Sequence, residues 1–422
     1  MKRKVFRIGQ KSNGKKRSLE AGEISPEDLS RESRLAMIQL LIPVGLKAVE
    51  EELQAEVQSL VGPRYSRGGD LKRWGKNPGS VYLGDQKVAV AVPRVRHVEG
   101  HREVELETYQ ALQNSHVIDD VVLSRVLHGL SQGNYEKAAV QVPETFGIKK
   151  SSISKKFIRS SAKRLQEFLE RDLSGYDIVA IFLDGKTFAE NEMVLALGVT
   201  LTGEKVFLGF IETSTENHKV CRDFLHSLLD RGLNTEDEIL FIIDGAKGLH
   251  KGIQEVLGEQ ALIQRCQWHK RENVVSYLDK KDQPVYRRKL QAAYEAPSYE
   301  KAKGRLQGIK RELKLINQSA VASLEEGLEE TLTLHRLGLF KQLGTSFKTT
   351  NCIENIMRQL ERYTGRVCYW KNSDQRRRWV ATALLDMEPN LRIVKGYKYL
   401  KELRMAMKKE KEKKREKFQK AA

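Results

Sequence analysis

The 422-residue chain has only four cysteines (Cys221, Cys266, Cys352 and Cys368), too few and too scattered for a disulfide framework. Nine prolines and the lack of any polar low-complexity tract exclude a mainly disordered chain. Long hydrophobic runs are missing too: stretches such as Val179-Ala180-Ile181-Phe182-Leu183 fall far short of the ~18 residues a membrane span requires. Behind Met1-Lys2-Arg3-Lys4 there is neither an apolar core nor a small-residue cleavage site, so no secretory signal is expected. These absences predict a cytoplasmic protein with no membrane partner.

The chain is 40% hydrophobic and 31% charged, enough to bury a sizeable core, and its length suits about three domains. Of the net charge of +18, residues 1–20 carry +7 and residues 395–422 carry +8. Two solvated tails would give the same numbers, but basic arms at both ends also fit a polyanion, and nucleic acid is the lead.

Ser25-Pro26-Glu27 reads as a helix start, and Leu35, Ile38, Leu41, Ile42, Leu46, Val49, Leu53, Val57 and Leu60 follow at helical spacing. Leu46, Val49, Leu53 and Leu60 fit two heptads, a possible dimer seam, although core packing explains them as well. From Gly62 to Ser80 the pattern breaks. Arg64, Arg67, Lys72, Arg73 and Lys76 lie among glycines with Tyr65 and Trp74, which suits DNA backbone contacts or an exposed linker. Residues 81–107 alternate with period two, indicating a small antiparallel sheet. Residues 133–159 resemble a helix-turn-helix, with Phe146-Gly147-Ile148 as the turn. Lys149, Lys150, Ser152, Lys155 and Lys156 stand at the start of the recognition helix, although Pro143 departs from the motif. A basic helical hairpin without groove contacts is the alternative.

Three strands in a meander are then expected at 178–183, 193–200 and 206–211. A crossover helix, a fourth strand at 239–243 and a short strand near Leu262 follow, the order of an RNase H-like sheet. From Pro284 to about Phe340 every apolar position is helical, which reads as an all-α insertion. The expected fold class is therefore multidomain α+β. An RNase H-like α/β catalytic domain (173–283 and 346–394) is interrupted by an all-α insertion (284–345). A basic arm (1–20), a helical region with a small β-sheet (21–115) and the helix-turn-helix region (116–172) precede it, and a basic tail (395–422) follows.

Asp184 and Asp244 each lie one residue past an expected buried strand, where α/β sheets gather their sites. Two adjacent carboxylates repel unless cations neutralise them, and hard divalent ions do this in phosphoryl chemistry. Glu354 would complete the set. Each acid has a structural alternative: Asp-Gly after a strand is a common turn, and Asn351 to Glu354 has capping-box spacing. Glu361 lies seven residues on, on the same helical face. Cys266-x-x-His269 suggests zinc, but a structural site needs four ligands and no second pair is near.

The blocks Phe182-Leu183-Asp184-Gly185, Asp244-Gly245-Ala246-Lys247-Gly248-Leu249 and Gln264-Arg265-Cys266-Gln267-Trp268-His269 come in order, followed by Arg271-Glu272-Asn273 and by Thr349-Thr350-Asn351 with Glu354 and Arg362. Glu216, Phe224-Leu225 and Leu228-Leu229-Asp230-Arg231-Gly232-Leu233 fit between them. With these blocks the chain resembles the DDE transposases of bacterial insertion sequences related to the Mutator transposons of plants, most strongly over about 178–366. Pro93-Arg94-Val95-Arg96 only approximates the family's Pro-Arg-rich segment.

The resemblance implies an enzyme that binds the terminal inverted repeats of its element. It would cleave the element end with two Mg²⁺ (or Mn²⁺) ions held by Asp184, Asp244 and Glu354, then transfer the 3′-hydroxyl strand into target DNA. His269 is expected in a positioning role near the scissile phosphate, and Arg358 and Arg362, four and eight residues after Glu354, toward the DNA backbone; bringing two DNA ends together calls for a homodimer, and the resemblance for a bacterial, nucleoid-associated location. A DNA-binding regulator and a host nuclease of the same fold are the alternatives.

Overall fold

A computed structural model of the protein describes residues 31–65, 69–83, 86–113, 123–129, 150–188, 191–213, 217–258 and 261–421. They divide into two compact units, one within 31–113 and one formed by 123–129 and 151–421. Among the described residues no helix is long and apolar enough to cross a membrane.

In the first unit, helix α1 (Arg31–Val61) packs on an antiparallel sheet of β1 (Leu71–Leu83), β2 (Gln86–His97) and β3 (Glu103–Val104), followed by α2 (Glu107–Gln113). Val49, Leu53 and Val57 recur once per helical turn and are buried with Val81, Val90, Val95 and Leu106. Two of the heptad positions, Val49 and Leu53, thus serve this unit's own core; Leu46 borders it, and Leu60 is exposed. The stretch expected as a linker or DNA contact is largely strand, since Leu71–Ser80 belongs to β1. It lies at the sheet edge, where a residue such as Pro78 is tolerated, and a bulge between Arg73 and Lys76 places Gly75 at φ +86°. The helix start expected at Ser25-Pro26-Glu27 lies outside the described residues.

The second unit holds helix α3 (Lys150–Leu169) and a five-stranded sheet of order β6-β5-β4-β7-β8. Strands β4 (Ile178–Phe188), β5 (Asn191–Thr200) and β6 (Lys205–Thr213) form the antiparallel meander. Helix α4 (His218–Asp230) crosses over to β7 (Leu240–Ile243), which runs parallel to β4. Helix α5 (Lys247–Leu257) then leads to β8 (Leu262–Arg265), parallel to β7. Strand β7 and the first half of β4 are buried throughout, which is why both read as unbroken apolar runs. One sheet face packs Ile181, Leu183, Phe241 and Ile243 against Phe224 and Leu228 of α4 and Ile253 of α5.

Helix α3 is built into this unit. Phe157 packs against Trp379 with ring centroids 4.9 Å apart, and Phe168 packs against Phe210 at 5.6 Å. The turn and first helix of the expected helix-turn-helix lie outside the described residues.

After β8 the chain is helical: α6 (Gln267–Ser276), α7 (Gln283–Tyr294), α8 (Tyr299–Lys314), α9 (Gln318–Glu325), α10 (Leu328–Thr331), α11 (Thr333–Arg336) and α12 (Phe340–Phe347). A separate core of Leu290, Tyr294, Leu306, Leu313, Leu324 and Leu332 holds this part together. Val274 and Val275 of α6 join it, so the helical core begins before residue 284. Helices α13 (Asn351–Thr364) and α14 (Ser373–Met387) return to the sheet, with α13 against β4.

The basic C-terminus forms α15 (Leu400–Ala421), which buries Leu400, Leu403 and Met407. Arg404 bonds to the Asp177 carboxylate and the Ile178 carbonyl, Lys408 to Asp237 (2.6 Å) and Lys411 to Glu238 (2.5 Å).

Candidate active site

The parallel pairing of β4 with β7 ends at Leu183 opposite Ile243. The next residues are Asp184 and Asp244, so two carboxylates stand side by side where the strands part. Asp184 is not past the end of its strand, as the sequence led us to expect. Strand β5 continues to pair with β4 as far as Phe188, which keeps Asp184 extended and buried. Asp244 does leave the sheet. Its Oδ1 accepts from the Ala246 N–H at 2.9 Å, and Gly245 takes the left-handed φ of +110° that this turn requires.

Glu354 lies in the first turn of α13, which carries it to the β4 side of the sheet. The capping box expected from Asn351 does not form: Asn351 is already helical, and Thr350 is the N-cap. The buried Thr350 hydroxyl donates instead to Glu354 Oε1 (2.9 Å) and lies 3.3 Å from His269 Nδ1 and 3.5 Å from the Cys266 sulfur. The Thr350 N–H also donates to that sulfur.

Burial opposes a charged His269. The hydrogen bond and charge of Cys266, and then the carboxylates of Asp244 and Glu354, outweigh it and hold the imidazolium up to about 9. Burial likewise pushes the Cys266 thiol up, but its bonds to His269 bring the net shift below the ordinary thiol range. His269 Nδ1 then donates to Thr350, which donates onward to Glu354.

Among the described residues no three His, Cys, Asp or Glu side chains are gathered closely enough to enclose a metal ion. The donor chemistry nevertheless fits a hard divalent cation. Asp184 and Asp244 present oxygens from adjacent strands, and Glu354 is near enough to act on the same imidazole as Asp244.

Sequence reasoning missed three supporting residues. Thr350 stands one helical turn before Glu354. Lys186, two residues after Asp184, pairs with Glu361 at 2.5 Å and so gives that acid a structural partner. Arg265, buried at the end of β8, donates to the carbonyls of Gly245 (2.8 Å) and Glu326 (2.9 Å). Next to it, the buried Lys270 donates to the Ser323 carbonyl; burial, then the charge of Arg265, depress its pKa to about 8 against the pull of Glu326.

The expected DNA-contacting residues are divided between the two units. Arg358 and Arg362 are exposed on α13, and Arg358 reaches Asn355 at 3.3 Å. Lys155 is exposed on α3 while Lys156 is buried; Lys150 and Ser152 are helical, but their side chains are not described. In the first unit Arg64 is exposed and Arg73 donates to the Gly62 carbonyl at 2.8 Å. Arg67 and Lys149 lie outside the described residues.

Residues 24–392 match the family model described as transposase, Mutator family. The chain is 28% identical over 257 residues to the transposase for insertion sequence element IS905 of Lactococcus lactis, a match spanning 58% of this chain and 63% of that protein. It is 27% identical over 236 residues to the transposase for IS6120 of Mycolicibacterium smegmatis, covering 54% and 71% of the two chains. To the transposase for IS256 in transposon Tn4001 of Staphylococcus aureus it is 26% identical over 313 residues, covering 70% and 76%.

Proposed function

The chain belongs to the Mutator family of transposases, and from that premise we propose that it cuts DNA at the ends of an insertion sequence and joins the freed strand to a target. The observation that carries this reading is the register of Leu183 with Ile243, which sets Asp184 beside Asp244 where the parallel pairing of the two strands ends. The strand order β6-β5-β4-β7-β8, with Glu354 returning on α13, supports an RNase H-like catalytic domain.

Asp184, Asp244 and Glu354 would hold two Mg²⁺ or Mn²⁺ ions. When bound, such ions neutralise the charge developing on the phosphate and favour the deprotonated form of the attacking oxygen. The side chains fix where the phosphate lies: Asp184 is rigid within a paired strand, Asp244 is held by its own turn, and Glu354 is oriented by Thr350. His269 places a positive charge beside this group.

In the first step a water oxygen bonds to phosphorus and the P–O3′ bond breaks, leaving the element's 3′-oxygen to take up a proton. In the second, that 3′-hydroxyl attacks a target phosphodiester and a target 3′-hydroxyl departs. No bond to protein forms in either step. The helix-turn-helix region and the first unit bind the terminal inverted repeats, and two chains act together as a homodimer.

Labelled end DNA incubated with Mg²⁺ or Mn²⁺ tests the reading. Asp184→Asn, Asp244→Asn and Glu354→Gln should lose cutting and joining while retaining end binding. A wild-type chain that cuts without ever joining would be a nuclease, and one that binds without cutting would be a regulator.

A further inference from the structure

Arg265 ends β8 directly opposite Ile243, the residue before Asp244. Its guanidinium turns back between two backbone turns that are distant in sequence. One N–H group donates to the carbonyl of the Gly245–Ala246 peptide, whose N–H bonds to Asp244 Oδ1, and another to the Glu326 carbonyl in the helical insertion. Both turns are bare where they meet it. Gly245 has φ +110° and Gly327 has φ +65°; a Cβ on Gly245 would lie 2.7 Å from Arg265 Nε, and one on Gly327 would overlap Nη1. A planar fork of donors can hold two carbonyls at once, which a single ammonium cannot do with the same geometry. A second tie runs parallel to it, from His250 Nε2 on α5 to Glu330 Oε1 on α10 at 2.6 Å.

We infer that Arg265 is a positioning residue that makes the placement of Asp244 depend on the helical insertion. Fixing the Gly245 carbonyl fixes the Gly245–Ala246 peptide, whose N–H holds Asp244 Oδ1, and the other end of the fixture is the Glu326-Gly327 turn. The insertion therefore helps build the metal site without contributing an acid to it. This inference rests on the reading of Asp244 as a metal ligand.

Mn²⁺ binding to the full-length protein, followed by electron paramagnetic resonance without DNA, tests it, with circular dichroism to establish folding. Arg265→Lys and Gly327→Ala should each weaken Mn²⁺ binding about 10-fold, the low end for residues that orient metal ligands. The double variant should be no worse than the weaker-binding single, because both changes break one contact. Lys270→Met removes a neighbouring tie to the insertion, whose bonds go to Ser323 and Glu326, and should leave Mn²⁺ binding unchanged.

Wild-type binding in both Arg265→Lys and Gly327→Ala overturns the inference, as does an equal loss in Lys270→Met. Should Arg265→Lys fail to fold, Gly327→Ala decides alone. Asp244→Asn separates the two levels. If it binds Mn²⁺ normally, the metal-ligand reading itself fails; if it loses binding while Arg265→Lys and Gly327→Ala keep it, only the positioning role fails.

Discussion

Glu354 and Glu361 share one face of α13, yet their partners differ: Thr350 for the first and Lys186 for the second. Glu361→Ala should therefore remain active in end cleavage while Glu354→Gln is dead, and the opposite pattern would show the third acid to be misassigned. Thr350→Val should slow cleavage about 10–100-fold, the usual cost of losing a group that orients a metal ligand, while Thr350→Ser keeps most of the activity. Lys270 predicts a pH effect. It faces Arg265, Glu326 and Glu330, and it gives up its proton near pH 8 when folded but near 10.5 when unfolded. Between these values the unfolded chain binds more protons, so stability rises with pH. Compared with Lys270→Met in thermal melts, the wild type should gain stability from pH 8 to 10; a constant difference would contradict the shift. The two aspartates were legible in the sequence because a strand end followed by glycine marks a local pattern. Thr350 and Arg265 were not, because Cys266 and His269 lie 84 and 81 residues from Thr350, the acceptors of Arg265 lie 20 and 61 residues away, and only the fold brings them together.

The same contrast holds between elements. Strands β4 and β7 stand out because a buried strand leaves an unbroken apolar run. The part of β1 up to Ser80 looked like a linker because an edge strand with only Val81 buried needs no apolar alternation and tolerates Pro78 and Gly79. Helix α3 could be found from its spacing, but not its role as a core helix, since Phe157 and Phe168 meet their partners only after the sheet has formed. Charge concealed not the helix at the basic C-terminus but its docking: twelve basic residues within 395–422 suggest a solvated arm, while Leu400, Leu403 and Met407 dock α15. Leu403→Ala should cost about 2–5 kcal/mol in chemical denaturation, as a buried leucine does. A change below about 0.5 kcal/mol, typical of surface positions, would mean that α15 is not docked.

At the scale of the whole molecule, transposition must bring two DNA ends together, and one set of three acids serves one phosphate at a time. Light scattering of the protein, free and with end DNA, should show a dimer; a monomer under both conditions would contradict it. Val49 and Leu53 already pack within their own unit, so alanine at these positions should lower stability first and change the association state only as a consequence. The docking of α15 bears on binding in another way. Arg404, Lys408 and Lys411 already face Asp177, Asp237 and Glu238. Cations held by carboxylates of their own chain are not available to displace the cations condensed on DNA phosphate, so these three add little to the dependence of DNA affinity on salt. A free cation engaging a phosphate contributes about 0.9 to the slope of log K against log salt. The slope for this protein should therefore fall below what its +18 suggests, and replacing the three by alanine should loosen the fold while leaving the slope almost unchanged.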